Sequence, residues 1–249
     1  MRVLVTGGSG WTAAATLRRL AEEGHEGVVY DIVRPHGLPP GWSWSRGDVR
    51  DPDALTPALI GSDAVLHMAV AVGPERSRSA HVAFDVNVRG TYEVFRTARD
   101  QGVRRMVLVG SAPVHLPAPP DGGRERAHWR SDPGEDHLYD LTKRLQEEIA
   151  RDFASTFGMS TLVLRAGHVV DGSSRRDRLG RPLSELAYCR GGWVCRYDLA
   201  EALTRAVTSP HVGRLTLVGA RPGRRRFGST ETERILGFRL EHDFADYAG

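Results

Sequence analysis

The 249 residues contain only two cysteines, Cys189 and Cys195. Two thiols at that spacing make neither a disulfide framework nor a four-ligand metal site, so they read as free thiols in a reducing compartment. No segment approaches the ~20 consecutive apolar residues that a membrane helix needs. The opening residues, MRVLVTGG, lack the apolar stretch and small-residue cleavage site of a secretion signal, which points to the cytoplasm. There is no internal repeat. A large excess of one charge is also missing, since the net charge is +3. The arginines cluster, however, at Arg124, Arg126 and Arg130, at Arg175, Arg176, Arg178 and Arg181, and at Arg224, Arg225 and Arg226. Such clusters are either solvated surface or a means of attracting an anionic ligand. No aromatic residues interleave with them in the pattern of a nucleic-acid-binding surface, so no nucleic acid partner is expected. His67, His115, His128 and His168 fit no usual metal-ligand spacing, and no metal is expected.

What is present is an alternation of short β-rich runs and amphipathic segments. An apolar content of 40% is ordinary for a globular core. Strands are expected at 2–6, 28–32, 64–67, 105–109 and 161–165, with a last one at 215–219. Helices are expected at 10–23, 51–59, 80–101, 137–157 and 198–208, and a short one at 230–237. Residues 34–43, 112–136 and 168–196 read as loops. This βαβα rhythm implies a doubly wound, Rossmann-type parallel sheet with helices on both faces. Such a sheet binds ligands beyond the carboxyl ends of its strands. The chemistry is therefore expected after Thr6, Asp31, His67 and Val109.

The stretch Thr6-Gly7-Gly8-Ser9-Gly10-Trp11-Thr12-Ala13 lies between the first strand and the first helix. In that context Gly7 permits a tight turn, Gly10 lets the backbone approach a pyrophosphate, and Ala13 allows helix and strand to pack closely. The helix N-terminus offers N–H groups and partial positive charge to phosphates. Ser9, Trp11 and Thr12 complete the candidate cofactor loop, where Trp11 either covers the pyrophosphate or fills core. Asp31 ends the second strand about 20 residues further on, where a carboxylate can accept both adenosine ribose hydroxyls. It would repel a 2′-phosphate, so NAD is expected rather than NADP, although Arg34 lies nearby.

Tyr139 and Lys143 form a Y-x-x-x-K pair near a helix start, one turn apart on one face. A free tyrosine, with a pKa of about 10, is a poor base at pH 7. A neighbouring ammonium favours the phenolate. The phenolate can then take the proton of a substrate alcohol while hydride leaves for a nicotinamide ring. Ser111 ends its strand on the same sheet edge, where a hydroxyl can hold the substrate oxygen beside Tyr139.

With these residues in hand, the chain resembles an extended short-chain dehydrogenase/reductase, of the NAD-dependent epimerase/dehydratase superfamily. VTGGSG resembles its phosphate loop, and GDVRD its adenine-contacting segment, which implies Asp48 and Val49 beside adenine. LHMAVA resembles the H-x-A-A strand end, which implies Ala69 near the cofactor ribose. NVRGTYEVFRTA resembles the long central helix, VGSAPVH the serine-bearing strand, and YDLTK the catalytic pair. LRAGHVV and RYDLAEAL resemble later landmarks and place Arg165 and Asp198. The resemblance implies Tyr139, Lys143 and Ser111 as catalytic residues, with Lys143 also touching the cofactor. It sets His115, Arg165 and His168 beside the substrate. His115 stands where the family has Tyr, Ala166 where Pro is usual, and His168 where Asn or Ser is common.

The short stretch after Arg165 is more similar to the small uronate-dehydrogenase-like branch than to members that hold a nucleotide-sugar. The expected organisation is an NAD-binding domain over 1–165 and a small substrate-binding lobe over 166–249, with 198–219 packing back on the core. The expected activity is oxidation or reduction of a small, polar, sugar-like or sugar-acid substrate. An anionic substrate would pair with the arginines of 175–181. The alternatives are sugar or nucleotide-sugar epimerisation or dehydration with bound NAD, and a non-catalytic NAD(P)-sensing protein. The helices over 80–101 and 137–157 imply, by the same resemblance, a homodimer.

Overall fold

A computed structural model describes residues 1–71, 79–112, 114, 137–189 and 192–245 of the chain. Its main sheet has seven strands, all parallel, in the order β10-β6-β5-β4-β1-β2-β3. They are β1 (Arg2–Thr6), β2 (Glu26–Asp31), β3 (Trp42–Arg46), β4 (Ala64–His67), β5 (Arg105–Ser111), β6 (Ser160–Ala166) and β10 (Gly213–Leu217). The winding direction reverses between β1 and β4, and a crevice opens at that switch point. The central strands read as nearly continuous apolar runs because both faces are covered.

Two cores result. Beneath one face lie Val3, Val5, Val29, Leu66 and Leu164, packed against helix α1 (Trp11–Glu22) and against α5 (Arg196–Thr208). On the other face Leu4, Val65, Met106 and Leu108 meet Leu55 of α2 (Pro52–Leu59), Phe95 of the interrupted helix α3 (Ala80–Asp100) and Phe153 of α4 (His137–Phe157). Asp51 caps α2 by accepting from the N–H groups of Asp53 and Ala54, as expected for Asp before Pro.

The structure departs from the sequence reading at four places. No strand is expected over 42–46, whose first two residues fall in the expected loop over 34–43, but Trp42 and Trp44 alternate with serines on an edge strand. Their indole N–H groups donate to the carbonyls of His25 and Asp31. Helix α3 is interrupted: Ala80–Ala83 leads into a π-helical turn, Phe84–Arg89, before Gly90–Asp100. The turn carries Asn87, fully buried, which accepts from Ala71 N–H (2.7 Å) and donates to Thr142 Oγ1 of α4 (2.9 Å). The stretch read as irregular over 168–196 holds a second sheet in the order β8-β7-β9, made of β7 (His168–Asp171), β8 (Arg176–Asp177) and β9 (Trp193–Cys195). Val170, Leu183, Leu186, Trp193 and Ala220 form its own small core, with Phe244 against it. Finally, a short helix α6 (Arg221–Arg226) precedes α7 (Ser229–Leu236).

Residues from the C-terminal stretch return to the main sheet: β10 pairs with β6, and α5 lies against α1. Asp198, buried at the start of α5, ties down the tail by accepting from the backbone N–H groups of Glu241 and His242. Cys195 is buried beside it as a free thiol whose pKa is pushed up by burial.

Candidate active site

A cleft of about 760 Å³ runs along the carboxyl edge of the main sheet, from the β1–α1 loop to the second sheet. At its near end Gly7 adopts φ +69°, and a Cβ there would stand 2.6 Å from the backbone of Ala69. The β1–α1 loop and the end of β4 therefore approach to a distance that only glycine allows. Gly10 is the N-cap of α1, and no side chain caps the helix, so its first-turn N–H groups face the cleft without a protein carboxylate or hydroxyl on them. Ser9, Trp11 and Thr12 line the same wall. Trp11 carries the Arg196 guanidinium over its ring at 4.7 Å, with Arg196 Nε 2.9 Å from Asp171.

Asp31 sits at the end of β2 in this wall, steadied by the N–H groups of Ser9 and Val33, each 3.0 Å from its carboxylate. Arg34 is directed elsewhere, over the Trp44 ring at 5.7 Å, and does not line the cleft. Asp48 and Val49 lie along the next stretch of wall, and Ala69 closes it beyond β4. The Asp48 carboxylate is engaged by the Arg50 side chain, and Arg50 reaches on to Asp85. Hydrogen bonds from Arg50 hold the Asp48 carboxyl below its usual range.

At the far end the cleft is lined by Ser111, Tyr139, Lys143 and His168. Ser111 is buried at the tip of β5. Lys143, on α4 one turn after Tyr139, is buried and donates to the Val109 carbonyl at 2.6 Å. Burial lowers its pKa to about 8, against an opposing pull from Glu147. His67 lies underneath, fully enclosed, with its ring nitrogens 2.6 Å from Thr6 Oγ1 and 2.9 Å from Thr91 Oγ1. Burial and then the Lys143 charge drive its pKa down to about 3, so it is a neutral fixture of the core.

Arg165, expected beside the substrate, is not in the cleft wall. Its guanidinium grips Glu147 of α4 at 2.7–3.1 Å from two nitrogens. The physical reason is that Glu147 is buried next to Gly110 and needs a cation. His115, with His128 and the arginines at 124, 126 and 130, lies outside the described residues.

Sequence reasoning missed Glu147, Asn87 and Asp177. Glu147 and Asn87 had a signal, since Glu147 follows Lys143 by one helical turn and Asn87 opens the matched central-helix stretch. Asp177 had none, because its buried position depends on the unforeseen second sheet.

A glycine-tight turn, an N-terminus without a side-chain cap and a carboxylate at the end of β2 together fit a dinucleotide. The sheet order and this crevice define a dinucleotide-binding enzyme fold of the Rossmann type. The chain belongs to the NAD dependent epimerase/dehydratase family, whose model matches residues 3–181. Over 96% of its length it is 28% identical to an L-arabinose 1-dehydrogenase (NAD(P)(+)) of Haloferax volcanii, covering 95% of that protein. It is 34% identical to a UDP-glucose 4-epimerase of Streptomyces lividans, but over only 46% of this chain and 37% of that protein. Among solved structures, uronate dehydrogenase from Agrobacterium tumefaciens superposes with a TM-score of 0.73 at 20% identity, covering 99% of this chain and 86% of that one, a likeness of fold.

Proposed function

We propose that the chain is an NAD-dependent oxidoreductase that interconverts a secondary alcohol and a ketone, or the equivalent hydroxyl of a sugar ring, on a small sugar-like substrate. The observation that carries this reading is that Ser111, Tyr139 and Lys143 line the same cleft as the glycine loop and Asp31. Gly7, Ser9, Gly10, Trp11 and Thr12 form the pyrophosphate cradle, Asp31 takes the adenosine ribose, Asp48 and Val49 flank adenine, and Ala69 borders the second ribose. Bound NAD supplies the hydride acceptor. The chain's own part is proton handling: Ser111 holds the substrate hydroxyl, and the Tyr139 oxygen takes its proton. The Lys143 ammonium, kept charged near neutrality with help from Glu147, favours the phenolate form of Tyr139. His168, in the same wall, contacts the substrate.

The arabinose dehydrogenase relative, matched over nearly its whole length, supports this reading. The partial match to an epimerase supports a second, in which NAD stays bound and the same proton transfer runs in both directions. Residues 1–165 act as the NAD-binding domain and 166–249 as the substrate lobe, with 198–219 returned to the core. The protein works in the cytoplasm as a homodimer.

The test is NADH formation at 340 nm across neutral sugars, sugar acids and small alcohols. Tyr139→Phe is expected to lower kcat by about 10²–10⁴-fold with NAD affinity unchanged. Full activity in that variant would overturn the assignment. Tightly retained NAD with interconverted sugars and no net NADH would decide for epimerisation.

A further inference from the structure

We propose that Cys195, Asp198 and His242 form a zinc-binding site, separate from the cleft, that clips the C-terminal tail to the start of α5. A thiol sulfur, a carboxylate oxygen and an imidazole nitrogen lie there within 4.8 Å of one another. None of the three residues lines the cleft, so the site is independent of the dehydrogenase reading. The first indication is an imbalance of charge. The carboxylates buried among the described residues are Glu147, Asp171, Asp177, Asp198 and Glu233. Glu147, Asp171, Asp177 and Glu233 pair with Arg165, Arg196, Arg181 and Arg224 respectively. Asp198, 4% exposed, pairs with no arginine or lysine among the described residues. Its partner is His242, which is a cation only when protonated. A buried carboxylate without a fixed cation is costly. A divalent cation neutralises the Asp198 carboxylate and the Cys195 thiolate together, because imidazole binds as a neutral ligand.

The geometry fits zinc. Bonds of about 2.0–2.2 Å to nitrogen and oxygen, at the tetrahedral angle, set those two atoms about 3.4 Å apart. His242 Nδ1 stands 3.4 Å from Asp198 Oδ1, long for a hydrogen bond. With a Zn–S bond of about 2.3 Å the sulfur belongs about 3.6 Å from each, so from 4.8 Å or less it closes by little more than about 1 Å. The three groups are also held in place. The His242 ring rests on Gly172, where a Cβ would come 2.2 Å from its Cδ2. The N–H groups of Gly172 and Tyr197 donate to the Cys195 sulfur, which favours the thiolate against the effect of burial. The N–H groups of Glu241 and His242 fix the Asp198 carboxylate, each at 3.1 Å. Cys195 and Asp198 are enclosed while the His242 side chain is 28% exposed, which leaves a side from which water can take a fourth position. Sulfur and imidazole ligands suit zinc over magnesium or calcium. The sequence offered no metal spacing here because His242 comes 44 positions after Asp198.

The full chain, free of any histidine tag, is stripped with a chelator and titrated with Zn²⁺ by calorimetry. One site per chain is expected, with a Kd below about 10 µM. Zn²⁺ at about 100 times its Kd should raise Tm by about 5–10 °C. Co²⁺ in its place should show the near-ultraviolet charge-transfer band of a thiolate ligand. His242→Gln and Cys195→Ala should each weaken Zn²⁺ binding at least about tenfold, and Cys195→Ala should remove the cobalt band. Absence of a saturable Zn²⁺ site below about 10 µM overturns the inference. Binding of wild-type strength in both variants overturns it too, by assigning the metal to adventitious surface histidines. If Cys195→Ala does not fold, the partly exposed His242→Gln and the wild-type cobalt spectrum decide, and unweakened binding or a missing thiolate band counts against the site. NADH formation enters none of these readouts, so the zinc site and the dehydrogenase reading stand or fall separately.

Discussion

Replacing Glu147 by Ala tests the physical reading of the site's underside. Glu147 has a side chain 2% exposed and its partner Arg165 one 18% exposed, and two nitrogens of Arg165 bond the carboxylate. Removing one member of a buried pair costs about 3–5 kcal/mol, because the other charge remains enclosed. Arg165 keeps some access to water, which places the expected loss near the lower end, about 3 kcal/mol. For a chain of this size that is a fall in Tm of about 6–12 °C. Urea unfolding followed by circular dichroism measures it directly. A second readout separates stability from site chemistry. Glu147 is the group that opposes the lowering of Lys143 by burial, so without it the Lys143 pKa falls below its value of about 8. The alkaline limb of the activity profile should then move to lower pH. The double variant Glu147→Leu with Arg165→Met, which replaces the pair by apolar groups, is expected to regain most of the stability but not the alkaline limb. A loss under about 1 kcal/mol in Glu147→Ala, or an unmoved alkaline limb, would refute the reasoning.

Further outcomes follow from the same geometry. Gly7→Ala introduces a Cβ 2.6 Å from the Ala69 backbone at φ +69°, where an L side chain also costs about 1–2 kcal/mol. It should weaken NAD binding at least tenfold by calorimetry, and wild-type affinity would contradict the cradle. The Lys143 ammonium has a folded pKa of about 8 against 10.5 for the free group, so the unfolded chain binds more protons between those values. Stability of the NAD-free protein should therefore rise with pH across that window. Lys143→Met should abolish the rise and stabilise the protein at pH 7 by up to about 3 kcal/mol, measured by urea titration at several pH values. Light scattering at micromolar concentration should give twice the chain mass, and a monomer would refute the homodimer.

The parts of this molecule legible in the sequence are those where a local constraint dictates residue type. A glycine that must take positive φ at Gly7, a cap before proline at Asp51 and apolar strands covered on both faces all have local signatures. Tyr139 and Lys143 were legible for the same reason, since a spacing of four on a helix is enough to align them. Features fixed by distant partners were not. The strand at Trp42–Arg46 exists because it can add to the edge of β2, and the flanking Pro and Gly masked it. The π-helical turn at Phe84–Arg89 exists because Asn87 must reach both Ala71 and Thr142, and neither bond leaves a trace in the periodicity.

Arg165 and Arg181 show where sequence reading of charge fails. Each was read as an arginine available to a substrate, and each instead closes on a buried carboxylate, Glu147 and Asp177. A buried carboxylate requires a cation, so an arginine's availability depends on whether an acid is enclosed within its reach. For Glu147 that acid lies on α4 and for Asp177 on β8, and only the folded chain brings the arginines to them. The two pairs divide the work around the cleft. Glu147 ties the helix that carries Tyr139 and Lys143 to β6 through Arg165, and Asp177 holds Arg181 in the cleft wall. The same electrostatic device, a buried carboxylate holding an arginine, thus braces the chain at both places.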